Sequence, residues 1–580
     1  MAMNLKGIAA APGYAIGPAF VMKDTGVKIE RRTLSAAEAK AEVVRFSEIV
    51  KQAIEQVKEI QEQARVKMGE EQAEIFESHI LVLHDDEFVG RTKELIEEKS
   101  INAEASLAEV TEELVTFFES MDNEYMNERA ADFRDLSRRL LNLLTGVKQT
   151  SLSDFEEPVV LITDDLTPSD SAQLDRDRVA GFATNIGGRT SHSAIMARSM
   201  EIPAVVGLKD VTERLQDGDM VILDGTTGDM IVKPTAEQIA EYEAKKVNFE
   251  KRKSEFKNYL NAASVTSDGH QVELVANIGN PGDAHNAHKN GAEGIGLFRT
   301  EFLYMGRQNF PTEEEQFAAY KEVAETFGKD HPIVIRTLDI GGDKELDYLE
   351  LPKEMNPFLG YRAIRLCLDE HEMFKTQLRA ILRASAFGNV KIMYPMIATI
   401  VELRAANAIL AEVKAELDAA GVAYNKELEV GIMIEIPAAV LVSDQLAKEA
   451  DFFSIGTNDL VQYTMAADRM NEKVSHLTQP MNPSVLRLIR MVIENAHREG
   501  KWVGMCGEMA GNPVAVPLLL GLGLDEFSMS ASSILPARVL MNKISLADAK
   551  EVAAKALDMQ TAEEIERFVQ ESFPEIAEVL

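Results

Sequence analysis

Cysteine is nearly absent from this chain of 580 residues, which contains only Cys367 and Cys506. Two cysteines cannot crosslink a protein of this length, and their scarcity predicts a reducing, cytoplasmic location. No run of about 18 uncharged apolar residues occurs, so a membrane-spanning helix is not expected. The start, MAMNLKGIAAAPG, lacks the basic and apolar segments of a signal peptide. The absence of a GxxxxGKS or GxxxxGKT motif argues against a P-loop nucleotide site.

Basic residues are outnumbered, because 61 lysines and arginines face 95 aspartates and glutamates for a formal net charge of −34. A field of this sign repels nucleic acids and anionic membranes, so neither is expected as a partner. An anionic small substrate would need a local cluster of arginines or a metal ion. Hydrophobic residues make up 46% of the chain, which excludes general disorder, and the length predicts two to four domains.

The first part of the chain predicts an α/β domain with a helical insertion. Residues 1–30 carry short apolar runs that indicate one or two strands, and strand-like runs return from Pro158 to residue 232. Residues 33–146 show helical periodicity, and its breaks indicate about four helices. Those breaks lie near Gly69, Gly90 and Asn102. The charged stretch 235–260 predicts a linker helix.

The second part contains eight short apolar runs, and each of the first seven precedes a helical stretch: ELVANIG, GIGLFRTE, PIVIRTLD, VKIMYPM, VGIMIEIP, FFSIGTNDL, WVGMCGEM and EFSMS. Such a series of β–α units predicts a (β/α)8 barrel whose active site lies at the carboxyl ends of the strands. Polar residues stand at those ends, where a core would exclude them: Asn277, Arg299, Glu301, Arg336, Asp339, Tyr394, Glu435, Asn458, Asp459, Cys506, Glu508 and Ser530.

Arginines at or near this rim suggest an anion site: Arg299, Arg336 and Arg469. Guanidinium groups match phosphate oxygens in geometry and charge, so the three could form a phosphate clamp. The alternative is that each arginine only pairs with a rim carboxylate such as Glu301 or Asp339. Arg362 and Arg365, on the helix after NPFLG, are secondary candidates.

Two carboxylates and a thiol complete the candidate site. Glu435 and Asp459 end neighbouring strands, and adjacent carboxylates repel unless a cation separates them, which favours Mg²⁺. The alternative is a protonated or arginine-bridged pair. Cys506 follows the seventh strand, where a thiol could deliver a proton at neutral pH, although free cysteines are also often core residues.

His192 is the most informative residue of the first part. In GGRTSHSAIMAR it falls in the first turn of a predicted helix, where free backbone N–H groups and the helix dipole would stabilise a phosphate on the imidazole. A capping or packing histidine is the alternative.

Several long motifs resemble the phosphoenolpyruvate-utilising enzymes. GGRTSHSAIMARSMEIPAVVG resembles their phosphohistidine segment, and GIGLFRTEFLY, RTLDIGGDK, NPFLGYRAIR, MIEIPAA, SIGTNDLVQYTMAADR and GMCGEMAG resemble their barrel. The order of these motifs is similar to the enzyme I family of the bacterial sugar phosphotransferase system. The resemblance extends over essentially the whole chain, including AEIFESHILVLHDDEF and NERAADFRDLSRRLL in the helical insertion.

This resemblance implies roles for the residues already singled out. His192 would accept the phosphoryl group of phosphoenolpyruvate (PEP), and Cys506 would protonate the enolpyruvate carbon. PEP would be held by Arg299, Arg336, Asn458, Asp459 and Arg469. Mg²⁺ would be held by Glu435 and Asp459.

The resemblance also implies partners and domains. A small histidine phosphocarrier protein would dock on the helical insertion around Glu70, Glu71, His79, Leu81, Glu87 and Arg129, unless these are simply solvated helix faces. Family members dimerise through the barrel. We expect four segments: an α/β phosphohistidine domain (1–32 and 147–232), the inserted bundle (33–146), a linker helix (233–262) and the PEP-binding barrel (263–580). A hinge is expected near 230–262, so that the α/β domain can swivel.

Other functions are less compatible with the sequence. A nucleotide-dependent dikinase or synthase would need a large nucleotide-binding domain, for which residues 1–260 leave no room. A non-catalytic regulatory relative would be indicated by loss of His192, Cys506 or a rim arginine, and all are present. A metal-dependent aldolase barrel would leave His192 without a purpose.

Overall fold

The computed structural model describes residues 3–22, 29–68, 70–119, 124–146, 158–166, 170, 174, 178–188, 192–200, 202–305, 307–342, 344, 346, 348–349, 351–469, 471 and 473–579. The chain divides into two compact units, Met1–Lys251 and Arg252–Leu580. Within the described ranges, no helix combines the length and the apolar character needed to cross a membrane.

The first unit contains an eight-stranded sheet. Its strands are β1 (Met3–Lys6), β2 (Ile8–Ala11), β3 (Tyr14–Met22), β4 (Val159–Thr163), β5 (Val179–Thr184), β6 (Ala204–Val206), β7 (Met220–Asp224) and β8 (Asp229–Val232). They lie in the order β1-β8-β7-β3-β4-β5-β6-β2, with parallel ladders from β3 to β6. The start of the chain supplies three strands rather than one or two, because Gly7 and the left-handed Gly13 (φ 127°) divide its apolar run.

The long connection between the paired strands β3 and β4 is helical. It forms α1 (Ala36–Met68), α2 (Glu70–Val82), a π-helical turn (Asp86–Gly90), α3 (Arg91–Lys99), α4 (Ala103–Glu119) and α5 (Glu124–Thr145). The predicted breaks near Gly90 and Asn102 are present, whereas Gly69 and residues 120–123 lie outside the described residues. The bundle has its own core around Phe46, Phe88 and Leu107.

Further helices whose bounds the structure describes belong to or begin in this first unit: α6 (His192–Met200), α7 (Val211–Arg214) and α8 (Ala236–Phe256). Helix α8 occupies the predicted linker stretch and contains the boundary between the two units. The ring of Tyr14 lies 5.9 Å from the rings of both Tyr242 and Phe249 of this helix, centroid to centroid. The amino-terminal part of α8 is therefore packed on the sheet of the first unit.

The second unit is a closed barrel of eight parallel strands, which confirms the predicted fold class. The strands are β9 (Glu273–Ile278), β10 (Ile295–Arg299), β11 (Pro332–Arg336), β12 (Asn389–Tyr394), β13 (Val430–Ile434), β14 (Phe452–Ile455), β15 (Trp502–Met505) and β16 (Glu526–Met529). Each coincides with one of the eight apolar runs. The barrel interior is filled below the rim by Leu297, Val334, Met393, Met433 and Phe452.

Helices surround the barrel and continue past its last strand. They are α9 (Pro281–Lys289), α10 (Glu313–Phe327), α11 (Ile364–Asp369), α12 (His371–Ala384), α13 (Ile400–Ala419), α14 (Pro437–Leu441), α15 (Ser443–Leu446), α16 (Thr457–Met465), α17 (Pro483–Arg498), α18 (Ala515–Leu522), α19 (Ala531–Lys543), α20 (Leu546–Ala556), α21 (Ala562–Ser572) and α22 (Ile576–Val579). Their apolar faces and the outward side chains of the strands form one continuous core.

Candidate active site

The carboxyl ends of the barrel strands bring the predicted barrel residues to one rim. Arg299 and Arg336 are the last residues of β10 and β11 and are direct partners in the register of these strands. Glu435 follows β13, and Cys506 follows β15. Asn458 and Asp459 lie in the first turn of α16, directly after β14. Strand ends therefore position the side chains, as expected for a (β/α)8 barrel.

Arg336 is held in a buried network of charges. Its Nη2 donates to Oε1 of Glu301 at 2.6 Å, and its Nη1 lies 2.9 Å from Oδ2 of Asp339. Lys344 also binds Oε1 of Glu301, with Nζ at 2.5 Å. Burial disfavours the charge of Arg336, but Glu301, Asp339 and further negative groups outweigh burial and raise its pKa. The guanidinium is thus kept charged in a fixed orientation.

Arg362, only a secondary candidate for the anion site from the sequence, belongs to the same network. Its Nη2 donates to Oδ1 of Asp339 at 2.8 Å, and its Nη1 lies 3.8 Å from Oδ1 of Asp459. The hydroxyl of Tyr463 accepts from Nη1 at 3.3 Å. Burial opposes ionisation of Asp339 and by itself would raise its pKa, but the positive charges of Arg336 and Arg362 outweigh burial and hold the pKa of Asp339 well below its usual range.

The guanidinium groups of Arg299 and Arg469 make fewer close contacts with carboxylates than that of Arg336. The guanidinium of Arg299 makes no hydrogen bond and no ion pair with any other described residue, so it is available to a ligand. Nη1 of Arg469 lies 3.5 Å from Oδ1 of Asp459, beyond hydrogen-bonding contact, and its guanidinium stands 5.8 Å from the ring centroid of Phe358. Pairing with rim carboxylates, the alternative to a phosphate clamp, is thus seen for Arg336 with Glu301 and Asp339 and, at a longer distance, for Arg469 with Asp459, but not for the Arg299 guanidinium within the described residues.

Glu435 is completely buried and is oriented by a strained backbone. Its Oε1 accepts from the backbone N–H of Met396 at 2.6 Å, and Met396 adopts a left-handed conformation (φ 56°). Such a conformation is unfavourable for a residue with a Cβ and is often found at functional sites. Burial, followed by the charges of Asp459 and Asp339, raises the pKa of Glu435 to about 8.

These carboxylates fit a divalent cation. Within the described part of the chain, Oε2 of Glu435 and Oδ1 of Asp459 are buried without a hydrogen-bond partner. Two hard oxygen donors with unsatisfied lone pairs suit Mg²⁺, which usually takes its remaining ligands from water and substrate. No group of three or more His, Cys, Asp or Glu side chains with metal-binding geometry occurs among the described residues, so protein ligands alone would not complete the coordination shell.

Cys506 is buried at the rim with its thiol protonated at neutral pH. Burial is the largest influence and raises its pKa to about 11, against the opposing effects of the Ser454 hydroxyl and Arg336. Glu435 adds to the increase, and Arg299 opposes it. The backbone carbonyl of Cys506 accepts a hydrogen bond from Nδ2 of Asn277 at 3.0 Å, which fixes this strand end.

His192 is the first residue of α6, as the sequence predicts, but its side chain and residues 189–191 lie outside the described set. Asn458 is exposed at the rim.

Of the predicted docking residues, Leu81 (69% exposed) and Glu87 have exposed side chains. His79 is fully buried, and its Nε2 lies 3.1 Å from Oδ1 of Asp132. The remaining three lie in α2 and α5 with side chains outside the described set: Glu70, Glu71 and Arg129.

Three family profiles match the chain in order. They are the PEP-utilising enzyme N-terminal domain (residues 6–129), the mobile domain (155–228) and the PEP-binding domain (253–546). The last match alone spans about half of the chain and contains the whole rim described above.

Full-length relatives agree with these matches. The phosphoenolpyruvate-protein phosphotransferase of Bacillus subtilis (strain 168) is 57% identical over 98% of this chain and 100% of its own length. The protein of the same name from Geobacillus stearothermophilus is 57% identical over 98% of both chains, and that from Priestia megaterium is 55% identical over 99% and 100%. The chain belongs to the phosphoenolpyruvate-protein phosphotransferases, the enzyme I branch of the PEP-utilising enzymes.

Proposed function

We propose that this phosphotransferase works in two half-reactions. In the first, the phosphoryl group of PEP moves to His192 and pyruvate is released. In the second, phospho-His192 passes the group to a histidine of the small phosphocarrier protein of the sugar phosphotransferase system. The observation that carries this proposal is the convergence of three features on one rim. They are the Arg299 guanidinium, which has no side-chain partner within the described residues, two buried carboxylate oxygens that accept no hydrogen bond there, and the buried thiol of Cys506.

The arginines support binding of PEP. In a chain with a net charge of −34, a site for a highly anionic substrate requires local positive charge. Arg299, Arg336 and Arg469 would bind the substrate oxygens, and Asn458 with the backbone of Asp459 would complete the site. Phosphoryl transfer proceeds through a loose transition state, so alignment and charge neutralisation are the main demands on the protein. A pre-oriented Arg336 meets both demands without reorganisation during the reaction.

Glu435 and Asp459 would hold Mg²⁺ through the oxygens that accept no hydrogen bond within the described residues. When bound, Mg²⁺ supplies additional neutralisation of the substrate's negative charge. The backbone N–H of Met396 keeps the Glu435 carboxylate facing this position through its bond to Oε1.

Cys506 supports the formation of pyruvate. As the bond between phosphorus and the enol oxygen of PEP breaks, the electron pair leaves with the enolate, whose methylene carbon takes the proton from Sγ. The products are pyruvate and the Cys506 thiolate. The neighbouring positive charges of Arg336 and Arg299 favour this thiolate, since both act to lower the pKa of Cys506.

His192 would receive the phosphoryl group through a neutral ring nitrogen. Its position as the first residue of α6 supports this role, because the first backbone N–H groups of a helix lack intrahelical partners and can stabilise an anion. Transfer requires the His192 domain to reach the barrel and then the phosphocarrier, for which we propose the hinge at 230–262. The domain limits given above, docking on the helical insertion, dimerisation through the barrel and a cytoplasmic location complete the proposal.

Labelled PEP tests the first half-reaction. The chain is incubated with Mg²⁺ and PEP carrying ³²P, without nucleotide, and the label is mapped after proteolysis. Acid-labile, base-stable label on the peptide containing His192, together with released pyruvate, is the expected result, and His192→Ala should take up none. Label that appears only with ATP, or that persists in the His192→Ala variant, would contradict the proposal.

A further inference from the structure

Gln377 is a fully buried polar residue on a helix face that is otherwise apolar. It lies on α12 beside the buried residues Phe374, Leu378 and Ile381, and is 1% exposed. A primary amide in such a place is destabilising unless its hydrogen-bonding groups are satisfied. Its contacts therefore indicate why an amide occupies this position.

The Gln377 amide bonds to the segments that follow two barrel strands. Its Oε1 accepts from the backbone N–H of Leu338 at 2.9 Å, and its Nε2 donates to Oγ1 of Thr300 at 3.0 Å. A second bond from Nε2 reaches the hydroxyl of Tyr320 at 3.3 Å. The backbone N–H of Leu338 can only donate, so this contact also determines which end of the amide is the oxygen.

Thr300 extends the connection to Arg336. Its hydroxyl donates to the backbone carbonyl of Arg336 at 2.8 Å, which leaves the oxygen's lone pairs for Gln377. The pairing of β10 with β11 ends at Arg299 and Arg336, and beyond this pair the two chains separate: Thr300 begins a 3₁₀ turn, and the N–H of Thr337 bonds to β12. One side-chain amide thus joins the strand ends where the backbone ladder stops.

We propose that Gln377 is a positioning residue for the PEP site, acting through the backbone that carries the rim charges. Thr300 lies between Arg299 and Glu301, and Leu338 directly precedes Asp339. Gln377 therefore fixes the backbone that carries Arg299 and Arg336, and also the backbone that carries Glu301 and Asp339, the carboxylates that orient Arg336. It does so without touching the substrate. This inference rests on the function proposed for the rim.

Gln316 provides a matched control. It is equally buried (1%) and belongs to the same network, where its Oε1 accepts from Tyr304 at 3.1 Å and from Tyr320 at 3.2 Å. Its Nε2 donates to the carbonyl of Pro311 at 3.1 Å. Tyr304 and Pro311 lie further along the connection after β10, and within the described residues the Gln316 side chain makes no hydrogen bond to Thr300, Arg336 or Leu338. Its loss therefore removes comparable buried hydrogen bonds without releasing the residues beside the rim charges.

The test compares Gln377→Leu with Gln316→Leu in the full chain. Single-turnover autophosphorylation over a range of ³²P-PEP concentrations gives the maximal rate constant (kcat) and the half-saturating PEP concentration (KM). The fluorescence of Trp502 follows denaturation of the barrel. We expect the two substitutions to lower stability by similar amounts. Gln377→Leu should lower kcat/KM about 10²-fold, because a small misplacement of binding groups has an effect of this size. Gln316→Leu should lower kcat/KM less than about threefold. Equal effects of the two substitutions on kcat/KM would overturn the proposal.

Thr300→Val covers the case in which Gln377→Leu fails to fold, because it removes only the hydroxyl that links Gln377 to Arg336. Thr92→Val is its control, since the Thr92 hydroxyl is also buried and donates to the carbonyl of Phe88 at 2.7 Å in the helical bundle. We expect kcat/KM to fall several-fold for Thr300→Val alone. An unchanged value in a folded Thr300→Val protein would overturn the proposal, whereas absence of label in the unmodified chain would instead refute the proposed function.

Discussion

The buried carboxyl group of Glu526 should give the barrel an unusual pH dependence of stability. Glu526 begins β16, at the opposite end of the barrel from the rim, and is 1% exposed. Neither carboxylate oxygen has a hydrogen-bond partner among the described residues. Burial is the main cause that raises its pKa to about 8, with contributions from Glu273 and Asp525, while Lys391 acts in the opposite direction.

The sign of the effect follows from the two states. Between the ordinary pKa of 4.5 and about 8, Glu526 is protonated in the folded chain and ionised in the unfolded chain. Folding then takes up a proton, so the free energy of unfolding decreases by about 1.4 kcal/mol for each unit of rising pH in this window. The contribution of Glu526 to the free energy of unfolding is complete below the ordinary pKa of 4.5 and is lost above the raised pKa of about 8. Glu526→Gln removes the titration while keeping the shape of the side chain.

The assay is guanidinium denaturation at pH 5, 6, 7 and 8, followed by the fluorescence of Trp502. This is the only tryptophan of the chain, and its ring stacks on that of Phe452 with 4.4 Å between the ring centroids. The stability of Glu526→Gln relative to the unmodified chain should increase by about 4 kcal/mol from pH 5 to pH 8. Glu494→Gln, which removes an exposed carboxylate, is the control. A difference that does not change with pH would refute the reasoning.

Three predictions concern the rim. Arg299→Met should raise KM for PEP about 10- to 100-fold, the loss of one charge-assisted hydrogen bond, with little change in melting temperature because Arg299 has no described partner. Cys506→Ala should lower kcat for pyruvate release about 10²- to 10⁴-fold and leave KM nearly unchanged, as expected for loss of a general acid. Glu435→Gln keeps an acceptor for the N–H of Met396 but removes the charge, and should raise the Mg²⁺ concentration needed for half-maximal autophosphorylation at least tenfold.

Each of these has a contrary result. A large loss of stability in Arg299→Met would show that the arginine is structural. Pyruvate release at the normal rate from Cys506→Ala would assign the proton to another donor. An unchanged Mg²⁺ requirement in Glu435→Gln would place the ion elsewhere.

The barrel was predictable because its signal is local. Each strand is a short apolar run that ends in a polar residue, and a parallel barrel gathers those ends on one rim, so Arg299, Arg336, Glu435 and Cys506 were all found from spacing.

Glu301 and Asp339 could be named from the sequence as possible partners of the rim arginines, and Arg336 pairs with both. Other contacts of the rim were not predictable, because they depend on distant segments. Arg362 is fixed by Asp339, which lies 23 residues earlier in the chain, and periodicity carries no information about that pairing. The left-handed backbone of Met396 is equally hidden, since methionine is not a residue that indicates such a conformation. Gln377 looks like an ordinary helical residue until its three hydrogen bonds are known.

Exchange of ¹⁴C between pyruvate and PEP tests the central claim most directly. If PEP transfers its phosphoryl group to His192 and the step is reversible, the chain with Mg²⁺ alone should move label from pyruvate into PEP, without nucleotide or phosphocarrier. His192→Ala should still bind PEP, because the rim is intact, yet show no exchange. Exchange that continues in His192→Ala would contradict the account, since the phosphoryl group would then pass through another acceptor.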